Sequence, residues 1–459
     1  MAGHRQTPFD GSAAMIGRRQ ALGLVAAGLA APGLARPATK RRPNIVIVLA
    51  DDLGWGDLGS YGNRAIRTPN LDRMAREGLR MTDFYASANI CTPSRAGLFT
   101  GRYPIRTGLA HEVIQMTDTN GLPQSEVTIA ECLKPDYVTA LIGKWHLGHV
   151  APFWPPTTQG FDLFFGLPYS HDMKGLRLYT ATPGVELTSE DVVFDKLEQR
   201  FFDRGLQFIE ANAARPFFLT LALTAPHVPL RPGAGHAGHS AAGAYGDVVE
   251  EVDDGVGRLM ATLKRLRIDD NTLVIVTSDN GPWFEGSAGN LRGNKGAAGW
   301  DGGYRVPFLA RMPGTIPAGR VSDAIAMNTD LLPTIAALAG KPLPSGVTID
   351  GRDLGAVFAG AAAGPHDELI LFNNERVAAI RTQRWKLVGR SYYRGYNIPL
   401  SKAGYWLMFD LEADPGENYN VAMRHPQVFA DMKARYEDAV AAYEPLGVKQ
   451  QPDRLPLAP

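Results

Sequence analysis

The sequence has 459 residues, enough for one large α/β domain with an appendage or for two domains. Lys+Arg and Asp+Glu each number 47, so the formal net charge is zero and the basic excess of a nucleic-acid binder is missing. With 20% charged residues, 50 Gly and 33 Pro, the chain has the profile of a globular enzyme with many ordered loops, and not of a disordered or fibrous protein.

At the N-terminus Arg18-Arg19 precede an apolar, Ala/Gly/Leu-rich run over 21–35, and small residues follow. The pattern predicts a signal peptide over 1–38 of the twin-arginine type, which carries folded proteins, with cleavage after Ala35 or Ala38 and Met15 as an alternative start. An anchor helix is the competing reading, but the run is short and Pro32 interrupts it. No other apolar run is long enough to span a membrane. The mature protein is therefore expected to be soluble, and periplasmic or secreted in a bacterium.

The run Asn44-Ile45-Val46-Ile47-Val48-Leu49-Ala50 is continuous, apolar and β-branched, and it stops at Asp51-Asp52. A buried parallel strand reads this way. Residues 139–142, 217–223 and 273–277 are further strand candidates. Helical patterns fall between them, over 69–77, 94–99, 203–211 and 246–266. In the last of these Asp247, Glu250, Glu251, Asp253 and Asp254 are expected to face solvent, opposite Val248, Val252, Val256, Leu259 and Met260. Strands alternating with helices predict an α/β fold, a mostly parallel sheet with helices on both faces. After about Gly364 short strand-like runs crowd together (368–373, 377–381, 385–388, 406–410) and a helix follows over 425–443. These predict a small C-terminal α+β subdomain with an antiparallel sheet. The expected domains are a catalytic one over 39–364 and a subdomain over 365–459.

The two cysteines, Cys91 and Cys132, are too few for a disulfide framework. Cys132 lies in an amphipathic helical stretch and is expected to be a small buried hydrophobe. Cys91 precedes Thr92-Pro93-Ser94-Arg95 at a predicted helix start, an electropositive place. On the residues alone this is a reactive thiol or a structural one.

Polar residues collect just past the strand ends, where open α/β sheets bind ligands. Asp51-Asp52 follow the first strand, Lys144 and His146 the second, His227 the third, and Asp279-Asn280 the fourth. Three carboxylates and one amide make a hard oxygen set that suits Ca²⁺ or Mg²⁺ over Zn²⁺. The bland alternatives are a helix cap at Asp51-Asp52 and a tight turn at Asp279-Asn280-Gly281.

The segment Cys91-Thr92-Pro93-Ser94-Arg95-Ala96-Gly97-Leu98-Phe99-Thr100-Gly101-Arg102 resembles the signature of type I sulfatases in the alkaline phosphatase superfamily. Asp51-Asp52-Leu53-Gly54-Trp55-Gly56-Asp57 is similar to their N-terminal metal motif, and Gly143-Lys144-Trp145-His146-Leu147-Gly148 to their second signature. Pro226-His227-Val228-Pro229, Ser278-Asp279-Asn280-Gly281, Leu291-Arg292-Gly293-Asn294-Lys295-Gly296 and Asp410-Leu411-Glu412-Ala413-Asp414-Pro415-Gly416-Glu417 continue the likeness in order. It spans about 44–420, and as an ordered set it is far more specific than any one motif. The link over 133–137 departs from it, being short and holding Pro135.

The resemblance implies an alkaline phosphatase-like fold and a hydrolase of aryl or carbohydrate sulfate esters. It implies that a formylglycine-generating maturation enzyme oxidises Cys91 to Cα-formylglycine, reading Pro93 and Arg95. One hydroxyl of the hydrated aldehyde attacks sulfur, and the other expels sulfate by C–O cleavage. Asp51, Asp52, Asp279, Asn280 and residue 91 match the Ca²⁺ ligands, with Mg²⁺ as the alternative. Arg95 holds the diol and neutralises carboxylates. Lys144 and Lys295 contact sulfate oxygens. His146 matches the base, and His227, with Lys295, the acid for the leaving alcohol. Ser170, in Pro168-Tyr169-Ser170-His171-Asp172, resembles a sulfate-binding serine of arylsulfatase A-like members.

Two other functions compete. A phosphonate or phosphate monoester hydrolase of the same superfamily would call for a second metal or more cations, and the sequence shows ligands for one metal. A sulfated-glycan binding protein would result if Cys91 stayed unmodified. Substrate choice is expected to lie in the loops 184–196 and 392–402. Trp283 and Trp300, beside the Asp279 and Lys295 motifs, either shape a pocket or cover the core.

Overall fold

The computed structural model describes residues 41–393 and 396–448. The signal predicted over 1–38 lies outside them. Among the described residues no helix is long and apolar enough to cross a membrane.

Ten strands form the main sheet, five of them a parallel centre in the order Thr272–Ser278, Asn44–Ala50, Phe217–Ala222, Val138–Lys144, Leu163–Leu167. Antiparallel strands flank this centre, Phe308–Arg311 on one side and Arg177–Ala181 on the other. The expected mostly parallel sheet is therefore present. Asn44–Ala50 is buried throughout because both of its faces are covered. Ile45, Ile47 and Leu49 pack on one face with Ala96, Leu98, Phe99 and Ile335. Val46, Val48 and Ala50 pack on the other with Met74, Phe201, Val252 and Leu259. The period-2 alternation of the strand decides which layer each side chain joins. Each fully buried Val, Ile or Leu contributes roughly 1.5–3 kcal/mol.

The helices Pro69–Glu77, Leu197–Asn212 and Gly243–Arg265 cover one face; Cys91–Thr100 and Leu331–Ala339 cover the other. Four C-terminal strands, Leu369–Asn373, Arg376–Arg381, Trp385–Val388 and Leu407–Asp410, pair antiparallel in chain order. Met432, Tyr436 and Ala439 of the helix Pro426–Tyr443 pack on this small sheet.

Several local expectations are corrected. In Gly243–Arg265 only Asp254 of the acidic set is exposed; Asp247, Glu250, Glu251 and Asp253 are buried. Their carboxylates accept backbone N–H groups of neighbouring segments: Asp247 from Ser240 and Glu251 from Gly233 in loops, Asp253 from Leu71 in the first turn of Pro69–Glu77. Periodicity marks a polar face, but it cannot tell solvent from unpaired amides. Cys132 ends a single helical turn, Ile129–Cys132, and is half-buried, not core.

Candidate active site

The ends of adjacent parallel strands put the polar residues together. Asp51 follows Ala50, and its N–H donates to Ala225 O at 2.9 Å; the Asp279 N–H donates to Ala50 O at 3.1 Å. Asp52 and His146 adopt left-handed backbone, φ 67° and 61°, a costly conformation for such residues that often marks functional sites. Gly143 makes the approach of Lys144 possible. Its φ is 118°, and a Cβ there would stand 1.8 Å from Ala222 O.

Cys91 opens the helix Cys91–Thr100, three residues earlier than periodicity places its start. Its Sγ is buried 3.5 Å from Asp51 Oδ1, at the positive end of the helix. Burial pushes the thiol up to about 12, against the pull of Lys144 and Lys295.

Cations surround the carboxylates. Lys144 Nζ donates to Asp51 Oδ2 at 2.6 Å with both side chains fully buried, and Lys295 Nζ stands 2.7 Å from Asp52 Oδ1. Arg95 Nε donates to Asp279 Oδ2 at 2.9 Å and Nη1 to Lys144 O at 2.9 Å. Burial opposes ionisation of Asp51, but Lys144, His227, Arg95 and Lys295 hold its carboxyl well below the usual carboxylate range.

The two histidines are oriented by carbonyls, which can only accept. His146 Nε2 lies 3.1 Å from Ile114 O, so Nε2 carries the proton and the buried Nδ1, which has no partner, is the bare nitrogen. Burial, then Lys144 and Arg95, lower the His146 pKa well below its usual value and keep the ring neutral. His227 Nδ1 donates to Val228 O, leaving Nε2 3.6 Å from Asp52 Oδ2 and 3.5 Å from Ser170 Oγ.

Donor atoms of Asp51, Asp52, Cys91 and His227 all lie within 4.8 Å of one another. Asn280 Nδ2 donates to Asp52 Oδ1 at 2.7 Å, while its Oδ1 is buried with no partner. Clustered carboxylates beside an orphaned amide oxygen fit a hard divalent cation. Asp279 is set slightly back, with Oδ1 accepting the Asp52 N–H at 3.2 Å and Oδ2 facing Arg95.

Cys91, His146, Ser170, His227 and Lys295 line one cavity of about 820 Å³. All the sequence-predicted site residues thus come to one place. The two tryptophans separate: Trp283 lines the cavity, while Trp300 is buried under Arg292, whose guanidinium lies 3.8 Å from the ring centre. The loop 184–196 does not line the cavity, nor do the described side chains of 392–402, of which 394–395 lie outside the described residues; Thr188–Asp191 is an exposed edge strand.

Sequence reasoning missed several supports. Thr92 Oγ1 donates to His146 O at 2.9 Å and accepts from Ile114 N at 3.1 Å. Asn328 Nδ2 donates to Ser94 Oγ at 2.8 Å, and Ser94 in turn donates to Asp279 O. Thr92 and Ser94 fall inside the Cys91 motif, the one signal that could have found them.

The model of the sulfatase family matches residues 43–341, and that of the N-sulphoglucosamine sulphohydrolase C-terminal region matches 299–442. Arylsulfatase A of Homo sapiens is 40% identical over 447 residues, covering 86% of this chain and 87% of that protein. Steryl-sulfatase of Mus musculus is 35% identical over 529 residues, covering 90% and 84%. Among solved structures, the PsFucS1 sulfatase from Pseudoalteromonas sp. superposes with a TM-score of 0.78 at 30% identity, covering 87% of this chain and 90% of that one.

Proposed function

This chain belongs to the sulfatase family and is a sulfuric ester hydrolase, and from that premise we propose that it works through a Cys91-derived formylglycine and one Ca²⁺. The observation that carries the reading is the position of Cys91: buried at the floor of the cavity, at a helix N-terminus, between acidic residues and three cations. A buried neutral thiol is a poor nucleophile. Conversion to an aldehyde supplies, on hydration, a hydroxyl for attack on sulfur and a second to release sulfate.

Asp51, Asp52, Asp279, Asn280 and residue 91 would hold the cation, which supplies Lewis-acid polarisation; Mg²⁺ is the alternative. Lys144 and Lys295, whose ammoniums face the floor of the site beside Asp51 and Asp52, would donate to sulfate oxygens, where charge grows as the S–O bond breaks. Arg95, fixed by Asp279 and Lys144 O, keeps residue 91 oriented. His146 Nδ1, bare and neutral, accepts a proton from a hydroxyl on residue 91. His227, when its ring carries a proton on Nε2 as well as on Nδ1, delivers the Nε2 proton beside Ser170 to the departing alcohol oxygen.

We also propose that the segment 1–38 is a twin-arginine export signal, that a formylglycine-generating enzyme acts before export to the periplasm or outside, and that 39–364 and 365–459 are the catalytic domain and its supporting subdomain. The test is mass spectrometry of the tryptic peptide that contains residue 91, paired with sulfate release from a generic aryl sulfate. The aldehyde is expected at 91. Cys91→Ala is expected to abolish release while calcium binding, read by calorimetry, persists. Full activity in Cys91→Ala would overturn the mechanism.

A further inference from the structure

Thr92 stands one residue past Cys91 in the first turn of the helix Cys91–Thr100, and it is fully buried. A hydroxyl is found in such a place only where it is hydrogen-bonded. Its Oγ1 is used in both directions, donating to His146 O at 2.9 Å and accepting the Ile114 N–H at 3.1 Å. Ile114 O then accepts from His146 Nε2 at 3.1 Å. Thr92, Ile114 and His146 thus close a buried ring of hydrogen bonds.

The ring acts on two things that the base must have. The first is place. His146 keeps left-handed backbone, φ 61°, which a residue with a side chain holds only where its surroundings over-determine it. Its own N–H donates to Pro168 O at 3.0 Å, and Thr92 Oγ1 fixes its carbonyl. The second is the tautomer. A neutral imidazole has one N–H and one bare nitrogen. With Ile114 O against Nε2 the proton stays there, because the other tautomer would set a lone pair against a carbonyl oxygen. Ile114 lies in the stretch 108–128, which has neither helix nor strand, so no ladder holds that carbonyl, whereas Thr92 holds the N–H of the same residue. Nδ1 is left bare on a ring that lines the cavity beside Cys91.

We infer that Thr92 is a positioning residue for His146: through the His146 carbonyl it fixes where the ring stands, and through Ile114 it fixes which nitrogen is bare. One helical turn then carries both the reacting hydroxyl and the hold on the group that takes its proton. The inference rests on the reading of His146 as the base. The hydroxyl is the part of the side chain that matters. Val at 92 keeps the shape but leaves the buried Ile114 N–H without an acceptor, whereas Ser keeps the hydroxyl.

The experiment uses the full chain carrying formylglycine, with calcium, and rates are taken per aldehyde counted by mass spectrometry of the peptide that contains residue 91. The first readout does not depend on turnover. In protein carrying isotope-labelled histidine, nitrogen NMR should show His146 as the Nε2–H tautomer, its signals identified by their loss in His146→Gln. Thr92→Val should give a mixture of the two tautomers, and Thr92→Ser should restore the parent spectrum. The second readout is hydrolysis of a generic aryl sulfate. Thr92→Val should lower kcat by about 10–100-fold, the loss that a misplacement of about 1 Å brings, while KM changes by less than about 2-fold. Thr92→Ser should recover most of the activity. An Nδ1–H tautomer in the parent overturns the inference, and that result is available even where Thr92→Val does not fold. So does a Thr92→Val variant with the parent's spectrum and kcat when His146→Gln is inactive. Full activity in His146→Gln overturns the reading of His146 as the base, and the inference with it.

Discussion

The Glu417 carboxylate, in the turn after the last strand of the small sheet, accepts the backbone N–H of Asp301 at 2.9 Å. Its carbonyl accepts from Arg292 Nη1 at 2.8 Å. Both ends of the segment that bears Lys295 are thus held from the C-terminal sheet. Lys386 Nζ completes the clasp, 2.6 Å from Asp301 Oδ1 and 2.7 Å from Glu417 Oε1, all fully buried. Removing one member of a buried ionic group strands the others.

Glu417→Ala is therefore expected to cost about 3 kcal/mol of stability and to lower kcat by displacing Lys295. Glu417→Gln keeps the acceptor for Asp301 and should recover most of the activity. Denaturant unfolding and sulfate release on both variants check this. Equal kcat in the Ala variant and the parent would show that the clasp does not position Lys295.

Lys144 is bound to Asp51 and reaches the floor of the site. Lys144→Ala should lower kcat by about 10²–10³-fold, the usual loss for one charge-stabilising donor. It also leaves Asp51 without its nearest cation. Thermal unfolding of the variant should then depend more steeply on calcium concentration than that of the parent. Parallel calcium dependences would argue against Asp51 as a ligand.

The strand Asn44–Ala50 and the ligands after it were legible because a two-sided buried strand is a continuous apolar run, and charges cannot continue it. The gathering of Cys91, Lys144, His227 and Lys295 was legible only through ordered motifs. Spacing alone does not bring residue 91 beside residue 279. What stayed hidden was set by long-range partners. Asp247 and Asp253 look like solvent-facing helix residues until the loops that need their oxygens are in place. The outer wall of the cavity was hidden too, since Met116 and Trp283 belong to loops with no periodic pattern.

Asp253 gives the clearest such case. The helix Pro69–Glu77 has no side-chain cap at Thr68, and its first-turn amides Asn70 N and Leu71 N donate instead to Asp253 Oδ1 at 3.0 and 2.8 Å. This is an N-cap supplied from another helix. Asp253→Ala should cost about 1–2 kcal/mol, with Asp253→Asn in between. Asp254→Ala, one residue on and exposed, should change the unfolding midpoint little. Equal effects at 253 and 254 would contradict the capping role.

Glu198 makes stability depend on pH. It is buried on Leu197–Asn212, accepts the Thr224 N–H at 3.0 Å, and so holds the loop that leads to His227. Burial, opposed by the hydrogen bonds from Thr224, pushes its carboxyl from 4.5 up to about 7. A raised folded-state value means the protonated form is favoured in the fold. The stability it contributes is complete below the unfolded value of 4.5 and is lost as pH rises through about 7. The loss approaches ~3 kcal/mol at alkaline pH, accumulating at about 1.4 kcal/mol per pH unit between 4.5 and about 7. Glu198→Gln keeps an acceptor for Thr224 and cannot ionise. Its unfolding free energy should match that of the parent near pH 4 and exceed it at pH 8, with the difference opening between those values. A difference that stays flat across the range would mean that Glu198 is ionised throughout, its charge met by Thr224.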